Sequence, residues 1–393
     1  MNDQLPLSGQ AHGREEPLRR ALAVQVATRR HLQFPARGAL AYRRSDAEPH
    51  LVDQWYLASQ LWADAVLLPL LPAPAAASTR SDLISGFAFL EHLWDRRQTG
   101  YCPRCQIDGS GVTRETRYTD DNAVAGLALL AAASTLPTKH RDQLLGLAQR
   151  EAAYLTNTRV WDNTFGGGYW WNTDLGNTAE GKPAQTNALA ALFLARLAAA
   201  TGIPGYRDWA VAIVDWLDVT LWDPARSLYR WSMAYQHPES RGGGAIVVNR
   251  YFNYDQAIAI EAKIALADLI GSSRHRAQAI QIGHALHSAF WDDTLGGYDL
   301  EAGVPQVFTS YGAWASLGHL ALYELTGEPH WHAFAQGNVA AMDRHLGQPD
   351  GSYACSAAAR SGSTVTVDRT RDTAAQAWAQ HLLARLAALS LVD

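Results

Sequence analysis

The chain has 393 residues, 48% of them hydrophobic and 18% charged, with 33 basic and 38 acidic residues for a net charge of −5. This apolar content with so few charges excludes a disordered chain. The slight acidity, with no basic stripe, argues against a nucleic-acid partner. Three cysteines are too few for a disulfide scaffold, and the most apolar stretch, 65–77, carries three prolines and cannot span a bilayer.

Met1–Arg30 is polar and charged, with no continuous apolar run of the secretory type, so the expectation is a cytoplasmic protein. At roughly 150 residues per domain the length alone suggests two or three domains. Helical periodicity predicts helices over 16–32, 51–68, 81–94, 119–134, 139–159, 184–201, 206–221, 253–270, 275–290, 309–326, 330–346 and 371–390. Ser81-Asp82 marks one start, and Gly202, Gly271 and Gly327 follow three ends. Strand-like runs are few, the best being Ala245–Asn249 and Thr364–Asp368.

An internal repeat corrects the domain estimate. Trp94-Asp95, Trp161-Asp162, Trp222-Asp223 and Trp291-Asp292 each close a predicted helix, and Tyr101, Tyr169, Tyr229 and Tyr298 follow the tryptophans at offsets of 7, 8, 7 and 7. Leu346 to Tyr353, around Asp350-Gly351, is a worn fifth copy. The tryptophans are spaced 67, 61 and 69 residues apart, so twelve helices in this rhythm make six hairpins. A helical hairpin cannot bury its apolar stripe alone. An open solenoid would also bury it, but the alternation of short turns with long loops suits an all-α, closed two-layer (α/α)6 toroid. The expected organisation is an N-terminal extension over 1–14 and one catalytic domain over 15–393. The long loops would share one rim, and function concentrates on loops held by a rigid scaffold.

Six helices are entered from that rim. Their first turns hold Asp53-Gln54-Trp55, Tyr118-Thr119-Asp120-Asp121-Asn122, Gln185-Thr186-Asn187, Asn253-Tyr254-Asp255-Gln256, Thr309-Ser310-Tyr311 and Asp372-Thr373. Capping explains one such residue per helix. It does not explain two adjacent carboxylates among amides and aromatics. Close carboxylates split their proton affinities, which is the division of acid from nucleophile that glycoside hydrolysis needs. Neighbouring residues reach the ~5–5.5 Å separation of a retaining glycosidase more readily than the ~6.5–9.5 Å of an inverting one. The loop Phe165-Gly166-Gly167-Gly168-Tyr169-Trp170-Trp171-Asn172 offers flat faces for sugar rings, although a tryptophan there could equally be a structural plug.

Other patterns are weaker. Cys102 and Cys105 form a C-x-x-C without a second ligand pair; a structural zinc, a redox pair and plain loop thiols all remain readings. Val124 breaks the Asp-Asp-x-x-Asp pattern of metal-dependent prenyl-diphosphate enzymes, so neither a metal nor another cofactor is expected. Arg274-His275-Arg276 reads as solvated charge, and His319 as a core residue or a proton-transfer group.

Taken in order, Tyr118-Thr119-Asp120-Asp121-Asn122-Ala123, Gly166-Gly167-Gly168-Tyr169-Trp170-Trp171, Lys182-Pro183-Ala184-Gln185-Thr186-Asn187 and Asn253-Tyr254-Asp255-Gln256-Ala257 resemble the motifs of glycoside hydrolase family 76. The resemblance covers roughly residues 50–390. It implies an (α/α)6 fold, retaining endo-α-1,6-mannanase activity and an oligosaccharide or polysaccharide substrate. It makes Asp120 the nucleophile and Asp121 the general acid/base. Tyr118, Asn122, Trp170, Trp171, Gln185, Asn187, Tyr254, Asp255 and Gln256 would line the sugar subsites. The chain departs from the family pattern at Pro183, at Asp255, where Asn is usual, and at Ala257, where Gly is usual. Asp255 is expected to add a third acid to the funnel. The alternatives on the same toroid are a sugar 2-epimerase, which needs paired histidines such as His319 in the funnel, and a non-catalytic glycan binder.

Overall fold

Alanine and leucine dominate helices that are covered on both faces, so those helices are apolar nearly all round. In the computed structural model, which describes residues 8–157, 160–176, 179–360 and 364–389, six helices are of this kind: α2 (Gln54–Leu67), α4 (Thr119–Thr135), α6 (Ala184–Thr201), α8 (Asn253–Ile270), α10 (Thr309–Thr326) and α12 (Thr373–Leu389). Each packs on the next, and α12 packs on α2, which closes an inner ring. The outer layer is amphipathic: α1 (Ser8–His31), α3 (Ala73–His92), α5 (Thr138–Leu155), α7 (Pro204–Thr220), α9 (Ser273–Phe290) and α11 (Pro329–His345). In α7 the buried residues Ala210, Ile213, Val214, Trp216 and Leu217 form one stripe at helical spacing. Each outer helix packs on the inner helix that precedes it, and α1 packs on α12, so the sixth hairpin joins the two ends of the chain. Among the described residues no helix is long and apolar enough to cross a membrane.

Several helix boundaries differ from the sequence expectation for local reasons. The first helix begins at Ser8, inside the segment assigned to an extension. The third begins at Ala73 rather than 81, because Pro72 and Pro74 sit at its start, where a missing N–H costs nothing. The second begins at Gln54 because Leu51–Asp53 is a strand paired with Arg104–Gln106. The long loops carry further short strands. Lys182–Pro183, Ser232–His237 and Gly242–Val248 form one antiparallel sheet; Gln306–Phe308, Ser356–Arg360 and Thr364–Asp368 form another.

The Trp-Asp…Tyr repeat is a miniature hairpin. Trp94 bridges Tyr101, Trp161 bridges Tyr169, Trp222 bridges Tyr229 and Trp291 bridges Tyr298, and the rings meet edge to face at 5.0–5.2 Å. The intervening Asp turns the chain: Asp95, Asp162, Asp223 and Asp292 each accept the backbone N–H two residues on. An amide side chain then clamps the repeat tyrosine to the toroid. Asn122 Oδ1 accepts from Tyr101 N–H at 2.6 Å, Asn187 Oδ1 from Tyr169 N–H at 2.7 Å and Gln256 Oε1 from Tyr229 N–H at 2.7 Å, and each amide nitrogen donates back to the same tyrosine's carbonyl. Gln376 does the same for Tyr353, while Asn338 of α11 serves Tyr298 from the outer layer.

Candidate active site

The N-termini of the inner helices converge with the long loops on a cavity of about 450 Å³. Aromatic walls come from Trp55, Tyr56, Tyr118, Trp171, Trp231, Tyr254, Tyr311 and Trp314; Asp53, Asp120, Asp121, Glu180, Arg44, Arg104 and Gln185 add the polar groups. Tyr118 lies 4.8 Å from Trp171 and Tyr254 lies 5.1 Å from Tyr311, ring centre to ring centre.

Of the residues expected at the site, Tyr118, Asp120, Asp121, Trp171, Gln185 and Tyr254 line this cavity. Asn122, Asn187 and Gln256 are corrected. They are fully buried, and their amides are consumed by the tyrosine clamps, so they hold the scaffold and do not line the cavity. Trp170 is also corrected. It is 1% exposed, donates its indole N–H to Asp162 at 2.9 Å, stacks on Tyr235 and lies under the Lys182 ammonium, so of the tryptophan pair it is the plug. Asp255 is not the third acid of the cavity. It is fully buried behind the wall and accepts the Gln185 N–H at 2.9 Å, and burial holds its carboxyl well above the usual range. The further acids that line the cavity are Glu180 and Asp53, the latter placed on the rim by the sequence without a role. Arg104, Trp231, Tyr311 and Trp314 were also missed. Tyr311 was visible in a helix first turn; Arg104 and Trp231 sit on loops whose path no local pattern reveals.

The Gly-rich loop aims Trp171. The buried Lys182 ammonium draws it together, donating to Asp162 Oδ1 at 2.8 Å and to the carbonyls of Thr164 and Gly167, both at 2.7 Å. Gly168 has φ +84° and packs so closely that a Cβ would stand 2.5 Å from the Trp216 ring. The chain then emerges with Trp171 over the acid pair.

Asp120 and Asp121 occupy unequal environments. Asp120 is 6% exposed, and its oxygens are served by the Trp171 indole N–H at 3.1 Å, the Asp121 backbone N–H at 3.1 Å and the Gln185 side chain. Burial raises its carboxyl to about 6, and these donors restrain the rise. Asp121 is half-buried and pushed well above the usual range, first by desolvation and then by the charges of Asp120 and Asp53, with Arg104 opposing. Burial raises Asp53 to about 6, with Arg104 and Arg44 pulling the other way. The donors around Asp120 favour its ionised form, whereas the neighbouring charges around Asp121 favour its protonated form.

Among the described residues no histidine lines this cavity. His319 is buried against His287, Trp331 and Phe334, and His381 against Trp62 and Trp378, and burial holds both far below the ordinary imidazole range. Cys102 and Cys105 are buried free thiols, and among the described residues no three His, Cys, Asp or Glu side chains are grouped to hold a metal ion.

A helical toroid whose loop rim carries an aromatic cleft and two neighbouring carboxylates in unequal environments defines a class equipped for glycoside chemistry. The sequence profile of glycosyl hydrolase family 76 matches residues 45–311, and the chain belongs to that family. A mannan endo-1,6-α-mannosidase of Candida glabrata is 30% identical over 161 residues; the match spans 40% of this chain and 35%, about a third, of that protein. Among solved structures, a family 76 α-mannanase of Bacteroides thetaiotaomicron superposes with a TM-score of 0.77 at 15% identity, covering 97% of this chain and 98% of that one. The cellobiose 2-epimerase of Spirochaeta thermophila superposes with a TM-score of 0.73 at 17% identity, covering 99% and 100%. The toroid is thus common to both, and the choice between them falls to the side chains of the cleft.

Proposed function

We propose that the chain is a retaining glycoside hydrolase acting on α-mannosides, with α-1,6 linkages as the substrate class. The observation that carries this reading is the asymmetry of Asp120 and Asp121 within one aromatic cleft. Asp120, the carboxylate supplied with hydrogen-bond donors, attacks the anomeric carbon. Asp121, which holds its proton, delivers it to the departing glycosidic oxygen. Asp121 then takes a proton from water, which attacks the same carbon and releases Asp120. Tyr118, Trp171 and Tyr254 supply apolar faces for the sugar rings, and Gln185 both contacts Asp120 and faces the cleft. Family membership and the mannanase names of the relatives support the linkage.

The test is hydrolysis of linear α-1,6-mannan by Asp120→Asn and Asp121→Asn, with proton NMR of the wild-type product. Loss of turnover in both variants with an α-configured first product is expected. Undiminished activity in either, or a β-configured first product, sinks the mechanism. Epimerase chemistry needs paired histidines at the sugar, and among the described residues no histidine lines this cleft.

A further inference from the structure

We infer that Asp53 is a third carboxylate of the active site, a positioning residue whose negative charge keeps the proton on Asp121; this rests on the catalytic reading above.

Asp53 ends the strand paired with Arg104 and stands at the N-cap of α2. An aspartate there normally caps its helix. Asp53 makes no capping hydrogen bond although its backbone is extended, with φ −108° and ψ 132°, and it lines the cleft that holds Asp120 and Asp121. Only 5% of it is exposed, and its nearest cation, Arg104, stands off at 3.7 Å. The next residue, Gln54, donates its side-chain N–H to the Asp121 carbonyl at 2.9 Å, which fastens the first turn of α4 to the start of α2. Asp53 is therefore held in fixed relation to Asp121 by its own chain neighbour.

A buried charge that neither caps a helix nor closes a tight ion pair is costly to keep. Its field falls on Asp121, whose helix turn the Gln54 hydrogen bond fastens to the start of α2. Asp53 raises Asp121, with which it shares the cleft. The groups facing Asp53 are Arg104 and Cys105 on the paired strand, Arg44 and Glu48 on the preceding segment, Tyr56 on α2 and Asp121 on α4. Arg104 lowers both Asp53 and Asp121, so it opposes the effect.

The experiment is the pH profile of kcat/KM on a soluble α-1,6-manno-oligosaccharide for the wild type, Asp53→Asn and Arg104→Gln. The alkaline limb reports loss of the proton from the acid. It should move down by about one pH unit in Asp53→Asn and up in Arg104→Gln, as expected for removing a nearby like or unlike charge. An alkaline limb that stays fixed in Asp53→Asn while KM rises, as for a sugar contact, overturns the inference. So does a shift of both variants in the same direction. Arg104 acts on Asp121 directly, so Arg104→Gln checks that the alkaline limb reports Asp121; if Asp53→Asn does not fold, Asp53→Ser takes its place, with a downward shift expected and a fixed limb overturning the inference. Wild-type activity in Asp121→Asn would instead remove the catalytic reading, whereas an inactive Asp121→Asn beside an unmoved limb removes only the role of Asp53.

Discussion

Trp171 donates its indole N–H to Asp120 Oδ2 at 3.1 Å while its ring lies 4.8 Å from Tyr118, so one side chain both lines the cleft and holds the carboxylate proposed as nucleophile. Trp171→Phe separates the two roles, because it keeps a ring and deletes the donor. A hydrogen bond to a charged group contributes about 1.5–3 kcal/mol. The expected result is a roughly tenfold to hundredfold fall in kcat/KM. The acidic limb of the pH profile should also rise above the value near 6 set by Asp120. An unmoved acidic limb would show that the indole N–H does nothing for the carboxylate.

Asp121 should trade stability for chemistry. Its folded proton affinity is raised above that of the unfolded chain, so the folded state holds the extra proton. The sign follows: its contribution is intact below the unfolded carboxylate value and is lost as pH rises through the folded one. Asp121→Asn should therefore melt higher than the wild type at about pH 8 and no higher at about pH 4. Thermal denaturation across that range checks it, and equal melting temperatures at both ends would contradict the assigned shift.

Asp255 obeys the same sign from behind the cavity wall. It is fully buried, and its Oδ1 accepts the Gln185 N–H at the start of α6. Asp255→Asn keeps an acceptor and deletes the charge, so it should raise the melting temperature at neutral pH by about 2 °C or more. Its kcat/KM should stay within about threefold of wild type, since the side chain lies behind the wall. Asp255→Leu, which leaves the Gln185 N–H unpaired, should instead destabilise by about 1–3 kcal/mol. A large loss of activity in Asp255→Asn would restore it as a third acid.

The sequence exposes the toroid because its repeat is chemical as well as periodic. Trp-Asp…Tyr encodes a bridge, an Asx turn and an edge-to-face ring pair, all of them local interactions. The start of α3 turns on Pro72 and Pro74 beside it, but that of α2 was harder to read, since the strand that displaces it depends on a partner far along the chain. The cleft was half legible for the same reason. Asp120, Asp121 and Tyr118 share one helix start, and Trp171 follows a glycine-rich turn. Whether Trp170 or Trp171 faces the sugar, and whether Asn187 faces it or a tyrosine backbone, depends on which way a side chain leaves the rim. No spacing fixes that.

Gln256 tests the distinction most directly, because residue type and position alone made it a sugar contact. Its amide accepts from Tyr229 N–H at 2.7 Å and donates to the Tyr229 and Phe252 carbonyls at 2.9 and 3.1 Å, with no exposed surface. In Gln256→Ala these buried backbone groups lose their partner and a small void opens, for a cost of about 2–4 kcal/mol. Chemical denaturation should show that loss, while KM for an α-1,6-manno-oligosaccharide changes by less than about twofold at a temperature where the variant is folded. Gln256→Glu should be destabilised as well, since its carboxylate still accepts the Tyr229 N–H but faces two carbonyl oxygens with no proton to offer. A Gln256→Ala protein of wild-type stability with a tenfold higher KM would place this amide at the sugar, and the clamp would then be a contact without energetic weight.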